Sequence, residues 1–362
     1  MLNTFSRIAR AACFHLLPEL LRPYRASLLV TKQCNLRCQM CNFGRPDTYR
    51  ERKELTTDEW KSILDKLIRF GISEIAFQGG ECLLRPDIAA LVSYAKNDLH
   101  AYTTLTSNGI LLEQKADCLP HVDRLIVSID SLNPEIHNRI RGRDGLLQTV
   151  MSNIEKVKHL PGEINISSII HRENVKDLEE LITYAESHGF GINIFPLCEE
   201  TVENSARAAS AMRLLDIDNK QLYRDLKRIL RKPGSLGNFF RIKFILERDL
   251  QIRNGNPPES IKNRRCNAMN NFLIVMFDGT IYPCCGNMPP MGNLLQDNLR
   301  RIWHSEQYRA LRRLSRKGTH AVCGRCNHIE TEYLIPEIAE ELMARLHRFA
   351  KNFTGGSKRP RS

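Results

Sequence analysis

Between residues 25 and 196 the chain alternates two rhythms of apolar and polar positions. Short runs rich in β-branched residues predict six strands: RASLLVT (25–31), SEIAFQ (73–78), AYTTLT (101–106), DRLIVSI (123–129), EINISSII (163–170) and GINIFP (191–196). Longer segments with the 3.6-residue period predict helices over 54–71, 86–98, 145–159 and 174–189. In the first of these, Trp60, Ile63, Leu64, Leu67 and Ile68 make one apolar stripe. Thr56 and Glu59 have the spacing of a capping box, and Gly71 supplies the stop. Pro86 suits the first turn of the second helix, and Asn108–Gly109 predicts a turn followed by a short helix. Strand and helix alternating through short connections argue for parallel strands joined by right-handed crossovers. Six units are too few to close an eight-fold barrel. The expected fold class is therefore α/β, a partial (β/α)6 barrel of parallel strands with its chemistry at their C-terminal ends.

Beyond residue 197 the rhythm changes. Two basic helical stretches (217–231 and 236–250) lead into a polar linker, RNGNPPESIKNRR (253–265), and then a cysteine-rich segment from Cys266 to Cys326. Within it, Phe277–Tyr282 predicts a β-hairpin turning at Asp278–Gly279, which makes Asp278 a turn residue rather than a catalytic base. The expected units are an N-terminal amphipathic helical extension (1–24), the partial barrel (25–200), a helical linker region (201–265), a small cysteine-rich domain with a hairpin and helices (266–335), and a C-terminal helix with a disordered basic tail (336–362).

Composition narrows the class. At 362 residues, 42% apolar and 26% charged, the chain has enough core material without disulfides, yet it holds 12 cysteines. The N-terminal stretch MLNTFSRIARAACFHLLPELLRP has charges and a proline where a secretory signal needs an unbroken apolar run, and no apolar run is long enough to span a bilayer. The expected location is cytoplasmic, and clustered cysteines there point to metal binding. The net charge of +12 is spread out, with local excesses at Arg300–Lys317 and in the tail KRPRS. A diffuse excess reads as a solvated surface; attraction to an acidic peptide, nucleic acid or an anionic membrane is the functional alternative. Leu2, Phe5, Ile8, Ala12 and Leu16 share one helical face, as do Ile338, Leu342, Leu346, Phe349 and Phe353. Such terminal helices pack on their own domain or lie in a membrane interface, giving peripheral contact.

The stretch QCNLRCQMCNFG, immediately after the first strand, places three cysteines at Cys34, Cys38 and Cys41 with no fourth nearby. Three thiolates suit either zinc with an open position or an iron–sulfur cube with one free iron. Further chemistry-bearing groups follow successive strands. QGGECLLRPD offers Gly79, Gly80 and Glu81; TSNG offers Ser107 and Asn108; SID offers Ser128 and Asp130; HNRIRG (137–142) offers Arg139 and Arg141. His121, His137 and His171 read as surface or packing residues.

Taken in this order, these motifs resemble the radical S-adenosylmethionine (radical SAM) family over residues 25–200. The resemblance implies that Cys34, Cys38 and Cys41 ligate a [4Fe–4S] cluster whose open iron is chelated by the methionine part of SAM. It implies that the segment Gly79, Gly80 and Glu81 meets the methionine amino group, and that Ser107, Asn108, Ser128 and Asp130 touch the ribose or methionyl part. Arg141 pairs with the SAM carboxylate in this reading, with Arg139 as its rival. Two positions depart from the family pattern: Met40 stands where an aromatic residue is usual before the third cysteine, and Cys82 where proline commonly follows GGE. Met40 can pack as a soft apolar side chain, and Cys82 reads as a packed thiol.

A second set comprises Cys266, Cys284, Cys323 and Cys326, the last two in CGRC, with Cys285 as the alternative to Cys284. By count alone, four ligands suit zinc and a cubane cluster equally. The arrangement resembles the C-terminal extension of radical SAM maturases, called SPASM in its full form and twitch when abbreviated. No cysteine follows Cys326, so the resemblance implies one auxiliary [4Fe–4S] cluster. The implied activity is reductive cleavage of SAM to a 5′-deoxyadenosyl radical that abstracts hydrogen from a peptide or a small molecule. A flavodoxin or ferredoxin would serve as reductant, and no nucleic acid is expected. No leader-peptide-binding domain is evident before residue 25, which weighs against a peptide substrate. The contrasting expectation, a metal-stabilised nucleic-acid-binding or regulatory protein, has no use for GGE at a strand end.

Overall fold

The computed structural model describes residues 21–43, 51–170, 172–197, 266–284 and 288–317. All six expected strands form: β1 (Arg25–Leu29), β2 (Glu74–Gln78), β3 (Tyr102–Ser107), β4 (Arg124–Ser128), β5 (Glu163–Ile170) and β6 (Gly191–Pro196). Each pairs in parallel with the next in sequence. Among the described residues the sheet does not close, as the count of units requires.

Helix α1 (Thr57–Phe70) forms as its pattern dictates. The Thr56 hydroxyl accepts from Glu59 N while the Glu59 carboxylate accepts from the Thr56 backbone, and Gly71 closes the helix in the left-handed region at φ 108°. Its buried side chains are Trp60, Ile63, Leu64, Leu67 and Phe70; Ile68 sits at the margin of the stripe. Helix α2 (Ile88–Ser93) begins after Asp87 and runs on into a wider π turn at Tyr94–Asp98, so Pro86 lies just ahead of it. The short helix expected after Asn108–Gly109 is a 3-10 turn at Ala116–His121. Helix α3 (Pro134–Arg141) was not anticipated, although its ends are well marked. The Asn133 side chain caps Glu135 N, Pro134 opens the first turn, and Gly142 ends it at φ 72°. Helices α4 (Leu146–Val157) and α5 (Leu178–Ser187) complete the outer layer.

Along β4 and β5 one face is buried under the helices: Leu125 and Val127, then Ile164, Ile166, Ser168 and Ile170. The other face, with Ile126 opposite Asn165 and Ser128 opposite Ser167, is half open. It forms the concave inside of the open barrel.

The cysteine-rich C-terminal part does not stand apart from the barrel. After α6 (Ala268–Asn271), β7 (Phe272–Val275) pairs in parallel with the free edge of β1. The expected hairpin follows, with β8 (Thr280–Tyr282) antiparallel to β7 through a turn at Asp278–Gly279, and β9 (Gly292–Asn293) adds a short last rung. Among the described residues one sheet of nine strands results, in the order β6-β5-β4-β3-β2-β1-β7-β8-β9. Asp278 is a turn residue: its carboxylate accepts from Thr280 N (3.1 Å) and from Arg52 Nε (2.6 Å). Helices α7 (Leu299–Trp303) and α8 (Glu306–Lys317) close this end, Trp303 meeting Phe70 of α1 edge-on at 6.0 Å.

Candidate active site

The cysteine loop leaves β1 and is held from two sides. On one side its backbone continues the pairing with the segment after β2. Gly80 N donates to Thr31 O (2.9 Å) and Glu81 N to Gln33 O (2.7 Å). These contacts need glycine. A Cβ on Gly79 would sit 2.7 Å from Thr31 O, and one on Gly80 only 2.1 Å from Gln33 O. The close approach anticipated for this glycine pair is thus an approach to the strand leading into Cys34. Gly80→Ala is expected to push the loop away at a cost of about 1–3 kcal/mol, the range for overpacked sites. A lower denaturant midpoint, together with reduced iron uptake, is the measurable outcome.

Residues that carry no motif anchor the same strand. The Glu54 carboxylate accepts from Thr31 Oγ1 (2.8 Å) and Lys32 N (2.7 Å). Buried Arg85 donates to Val30 O (3.0 Å) and Leu55 O (3.1 Å) while pairing with Asp87. Neither Glu54 nor Arg85 lies in a recognisable pattern; Arg85 stands four residues after Glu81, in the same short stretch QGGECLLRPD.

On the other side the loop meets α3. Gln39 N donates to Ile140 O (3.0 Å), and a Cβ on Gly142 would lie 2.6 Å from Arg37 O. Arg141 is buried here, its field shared with Cys38 and Cys41, and its Nε donates to Asp130 Oδ2 at 2.7 Å. The other oxygen, Asp130 Oδ1, accepts from Ile169 N (3.0 Å). Burial pushes the Asp130 pKa up, but the Arg141 guanidinium outweighs it and holds the carboxyl below its usual range. Both oxygens of Asp130 are therefore engaged inside the protein, and what it holds directly is Arg141. The rival Arg139 is an exposed residue paired with Glu173 (2.8 Å), so of the two arginines it is Arg141 that stands beside the cysteines.

Glu81 ties the remaining strand ends together. It is fully buried, and its Oε1 accepts from Leu83 N (3.1 Å) and Ser107 Oγ (3.0 Å), its Oε2 from Asn108 N (2.8 Å). Asn108 in turn donates to Asn35 Oδ1 (2.7 Å), next to Cys34. Burial raises the Glu81 pKa against these hydrogen bonds. Glu81, Ser107 and Asn108, predicted from two separate turns, thus form one network reaching the cysteine loop. Ser128 stands at the end of β4 on the half-open face.

The two departures from the family pattern are both packed inward. Met40 is buried in the main apolar cluster, and Cys82 is buried with its thiol directed at Thr106 O (3.2 Å). His137 is a packing residue, its Nδ1 accepting from Asp130 N (3.2 Å), and burial lowers its pKa to about 4. His121 is half-buried and bonds to Asn97; His171 lies outside the described residues.

Cys34 and Cys41 are half-buried and Cys38 is buried. Burial pushes the Cys34 thiol up to about 11 and raises Cys38 as well, so a bound cation is needed to hold them as thiolates. Among the described residues no three Cys, His, Asp or Glu side chains are gathered tightly enough to hold a single metal ion. The donor set fits an iron–sulfur cluster: soft thiolates on one loop, one ligand short, with the buried Arg141 cation alongside.

Of the second set, Cys266 and Cys284 are both buried and belong to one apolar cluster with Leu29, Phe43, Met269, Met276 and Phe277. Cys34 and Cys41 pack against that same cluster, so one apolar wall separates the two sets. Cys285, Cys323 and Cys326 lie outside the described residues, as do the terminal amphipathic stretches and residues 198–265.

Comparison with known proteins agrees with this geometry. The radical SAM superfamily model matches residues 28–185, and the model of the SPASM iron–sulfur cluster-binding domain matches residues 266–327. A probable GTP 3′,8-cyclase of Methanocaldococcus jannaschii is 32% identical over 179 residues, 47% of this chain and 59% of that protein. The chain thus aligns with little more than half the length of that relative. An AdoMet-dependent heme synthase of Methanosarcina barkeri is 27% identical over 310 residues, 83% of this chain and 87% of that protein. Among solved structures, SuiB of Streptococcus suis bound to the precursor peptide SuiA superimposes with a TM-score of 0.60 at 17% identity, over 93% of this chain and 79% of that one. The structure of anSMEcpe with bound AdoMet gives 0.60 at 18% identity, over 91% and 96%. These two likenesses speak for the fold. With a three-cysteine loop after the first strand, GGE after the second and a matched iron–sulfur domain on the far edge of the sheet, the chain belongs to the radical SAM superfamily and carries a C-terminal SPASM domain.

Proposed function

We propose that this protein cleaves SAM reductively at a [4Fe–4S] cluster held by Cys34, Cys38 and Cys41, and uses the resulting radical to abstract hydrogen from a peptide or a small molecule. The observation that carries the reading is the wiring of the cysteine loop. Asn35 bonds to Asn108, Asn108 to Glu81, and Glu81 to Ser107, while Arg141 stands beside Cys38 and Cys41 from the opposite side. When bound, cluster and SAM together supply an electron transfer that breaks a carbon–sulfur bond and leaves a carbon radical.

The protein's own share is placement. Gly79, Gly80 and the Glu81 backbone fix the loop, and Arg141 offers a cation to the SAM carboxylate from the hold of Asp130. Ser128, on the half-open inner face, offers a hydroxyl to SAM, and Ser167 opposite it lines the concavity for substrate. Cys266 and Cys284, which stand across the shared apolar wall, would together with Cys323 and Cys326 hold one auxiliary [4Fe–4S] cluster, accepting an electron from the substrate or shaping its pocket. Relatives are named both as small-molecule enzymes and as a PqqA peptide cyclase, which supports either substrate class. A flavodoxin or ferredoxin would serve as reductant, in the cytoplasm. Among the described residues no helix is long and apolar enough to cross a membrane. Peripheral contact through the terminal helices, if present, would show as flotation with anionic vesicles.

The test is anaerobic incubation of the reduced, iron-loaded protein with SAM. Formation of 5′-deoxyadenosine is expected, and its absence, with and without candidate substrates, would overturn the proposal.

A further inference from the structure

The three residues ahead of Cys34 are clamped from both sides. On one side are the backbone contacts of the GGE segment, Gly80 N to Thr31 O and Glu81 N to Gln33 O. On the other is the short segment 52–55, which carries no motif and lies just before α1. One carboxylate oxygen in it, Glu54 Oε1, accepts from Lys32 N (2.7 Å) and from Thr31 Oγ1 (2.8 Å). The same Thr31 hydroxyl accepts from Gln33 N (3.1 Å). Glu54 thus holds two successive amides, Lys32 directly and Gln33 through the hydroxyl, and the next residue is Cys34. Its sulfur in turn accepts from Leu36 N (3.4 Å), so the course of the chain at Gln33 also sets where this thiol points.

Glu54 is itself well anchored. Leu55 N donates to Phe277 O (2.8 Å), and Leu55 O accepts from the buried Arg85 guanidinium (3.1 Å), which stands 4.0 Å from Glu54 Oε2. Arg52 donates to Asp278 Oδ2 (2.6 Å) with its guanidinium 5.1 Å from the centre of the Phe277 ring, and Arg52 O accepts from Lys32 Nζ (2.6 Å). The segment is therefore fixed to the turn of the C-terminal hairpin and does not depend on the cysteine loop for its own position. A carboxylate accepting from backbone amides makes stronger and shorter bonds than a neutral acceptor, which suits it to fixing a loop.

We infer that Glu54 is a positioning residue for SAM cleavage: acting through Thr31, it sets the direction in which Cys34 leaves β1 and so aims the open iron of the cluster at SAM. The inference rests on the reading of Cys34, Cys38 and Cys41 as cluster ligands. Its physical basis is a division of labour. The thiolates retain the cluster, whereas the facing of its open corner follows the course of the loop that carries them. A displacement of about 1 Å at a reacting centre costs about 100-fold in rate, so removing the Glu54 hold should spare iron and harm the reaction.

The experiment uses full-length, anaerobically purified Glu54→Ala and Thr31→Val proteins and the double variant. Thr31→Val keeps the buried, branched shape and deletes only the relaying hydroxyl, so it decides the matter should Glu54→Ala fail to fold. Iron content, SAM affinity, 5′-deoxyadenosine formation and hydrogen exchange over residues 31–36 are measured. The expected result is wild-type iron, SAM bound about tenfold more weakly, product formation per SAM encounter about 100-fold slower, and faster exchange at these amides. The double variant should lose less than the product of the two single effects, because both act through one chain of bonds. Unchanged SAM affinity and rate at full iron content overturn the inference and leave the cluster reading intact. Independent, multiplying losses overturn it too, since they deny the relay. Loss of the first cluster's iron from Thr31→Val also overturns it, because the pair would then retain the cluster rather than aim it. A Cys34→Ala protein that still cleaves SAM removes the cluster reading, and this inference with it.

Discussion

Replacing Cys38 by alanine is expected to abolish 5′-deoxyadenosine formation and to lower bound iron from about eight atoms per chain to about four, one cubane's worth. Cys38 is the buried member of the trio, flanked by Arg141 and set between the backbone contacts of Gln39 with Ile140 and of Glu81 with Gln33. Among the described residues no other thiol stands on the cysteine loop to replace it. Cys82, also close in sequence to the site, is buried with its thiol against Thr106 O, and burial raises its pKa well above the usual value. The remaining iron should belong to the second set, because Cys266 and Cys284 stand across the shared apolar wall on separate elements. Iron and sulfide assays with product chromatography make the check. A variant that retains all its iron and still forms 5′-deoxyadenosine would mean that Cys38 is not a ligand. A wild type holding about four irons would remove the auxiliary cluster, and about twelve would require two.

The second large effect is expected at Asp130. Asp130→Ala leaves the Arg141 guanidinium buried without its partner, and breaking a buried pair from one side costs about 3–5 kcal/mol. Since Arg141 sits beside Cys38 and Cys41, the loosened side chain should also weaken SAM binding, readable as a raised Kd in the folded fraction. The pH dependence has a definite sign. The folded Asp130 carboxyl lies below its usual range, so its contribution is fully present above the ordinary aspartate pKa near 3.8 and is lost as pH falls through the lower folded value. The stability gap between wild type and variant, measured by denaturant titration, should therefore be constant near neutrality and narrow only in acid. A gap below about 1 kcal/mol at pH 7 would show that the pair does not hold the site.

How much of this could be read from the residues depends on how local each signal is. Strands β5 and β6 and helix α1 form where their periodicities place them, because caps and alternating burial are properties of adjacent residues. Helix α3 carried equally local signals, Asn133, Pro134 and Gly142, yet its sequence PEIHNRIR is mostly polar and gives no strong apolar stripe. The motif residues Glu81, Ser107 and Asn108 were legible as separate rim groups. That they bond to one another was not, since the contacts join the ends of different strands. Asp130 illustrates the limit: its type and place suggested a ligand contact, whereas its burial and its grip on Arg141 arise only when α3 folds back over β4. The pairing of β7 with β1 likewise has no sequence signature, because parallel partners need share no turn.

That pairing has a consequence for biogenesis. Arg25 finds its partner in Phe272, so the barrel's first strand keeps a bare edge while the ribosome makes most of the chain. An unpaired edge is a template for misassociation, and contacts so far apart in sequence are slow to form. A nascent chain in this state would need shielding by a chaperone until Val275 has emerged, and truncations ending before β7 should accumulate as aggregates rather than as a self-standing barrel.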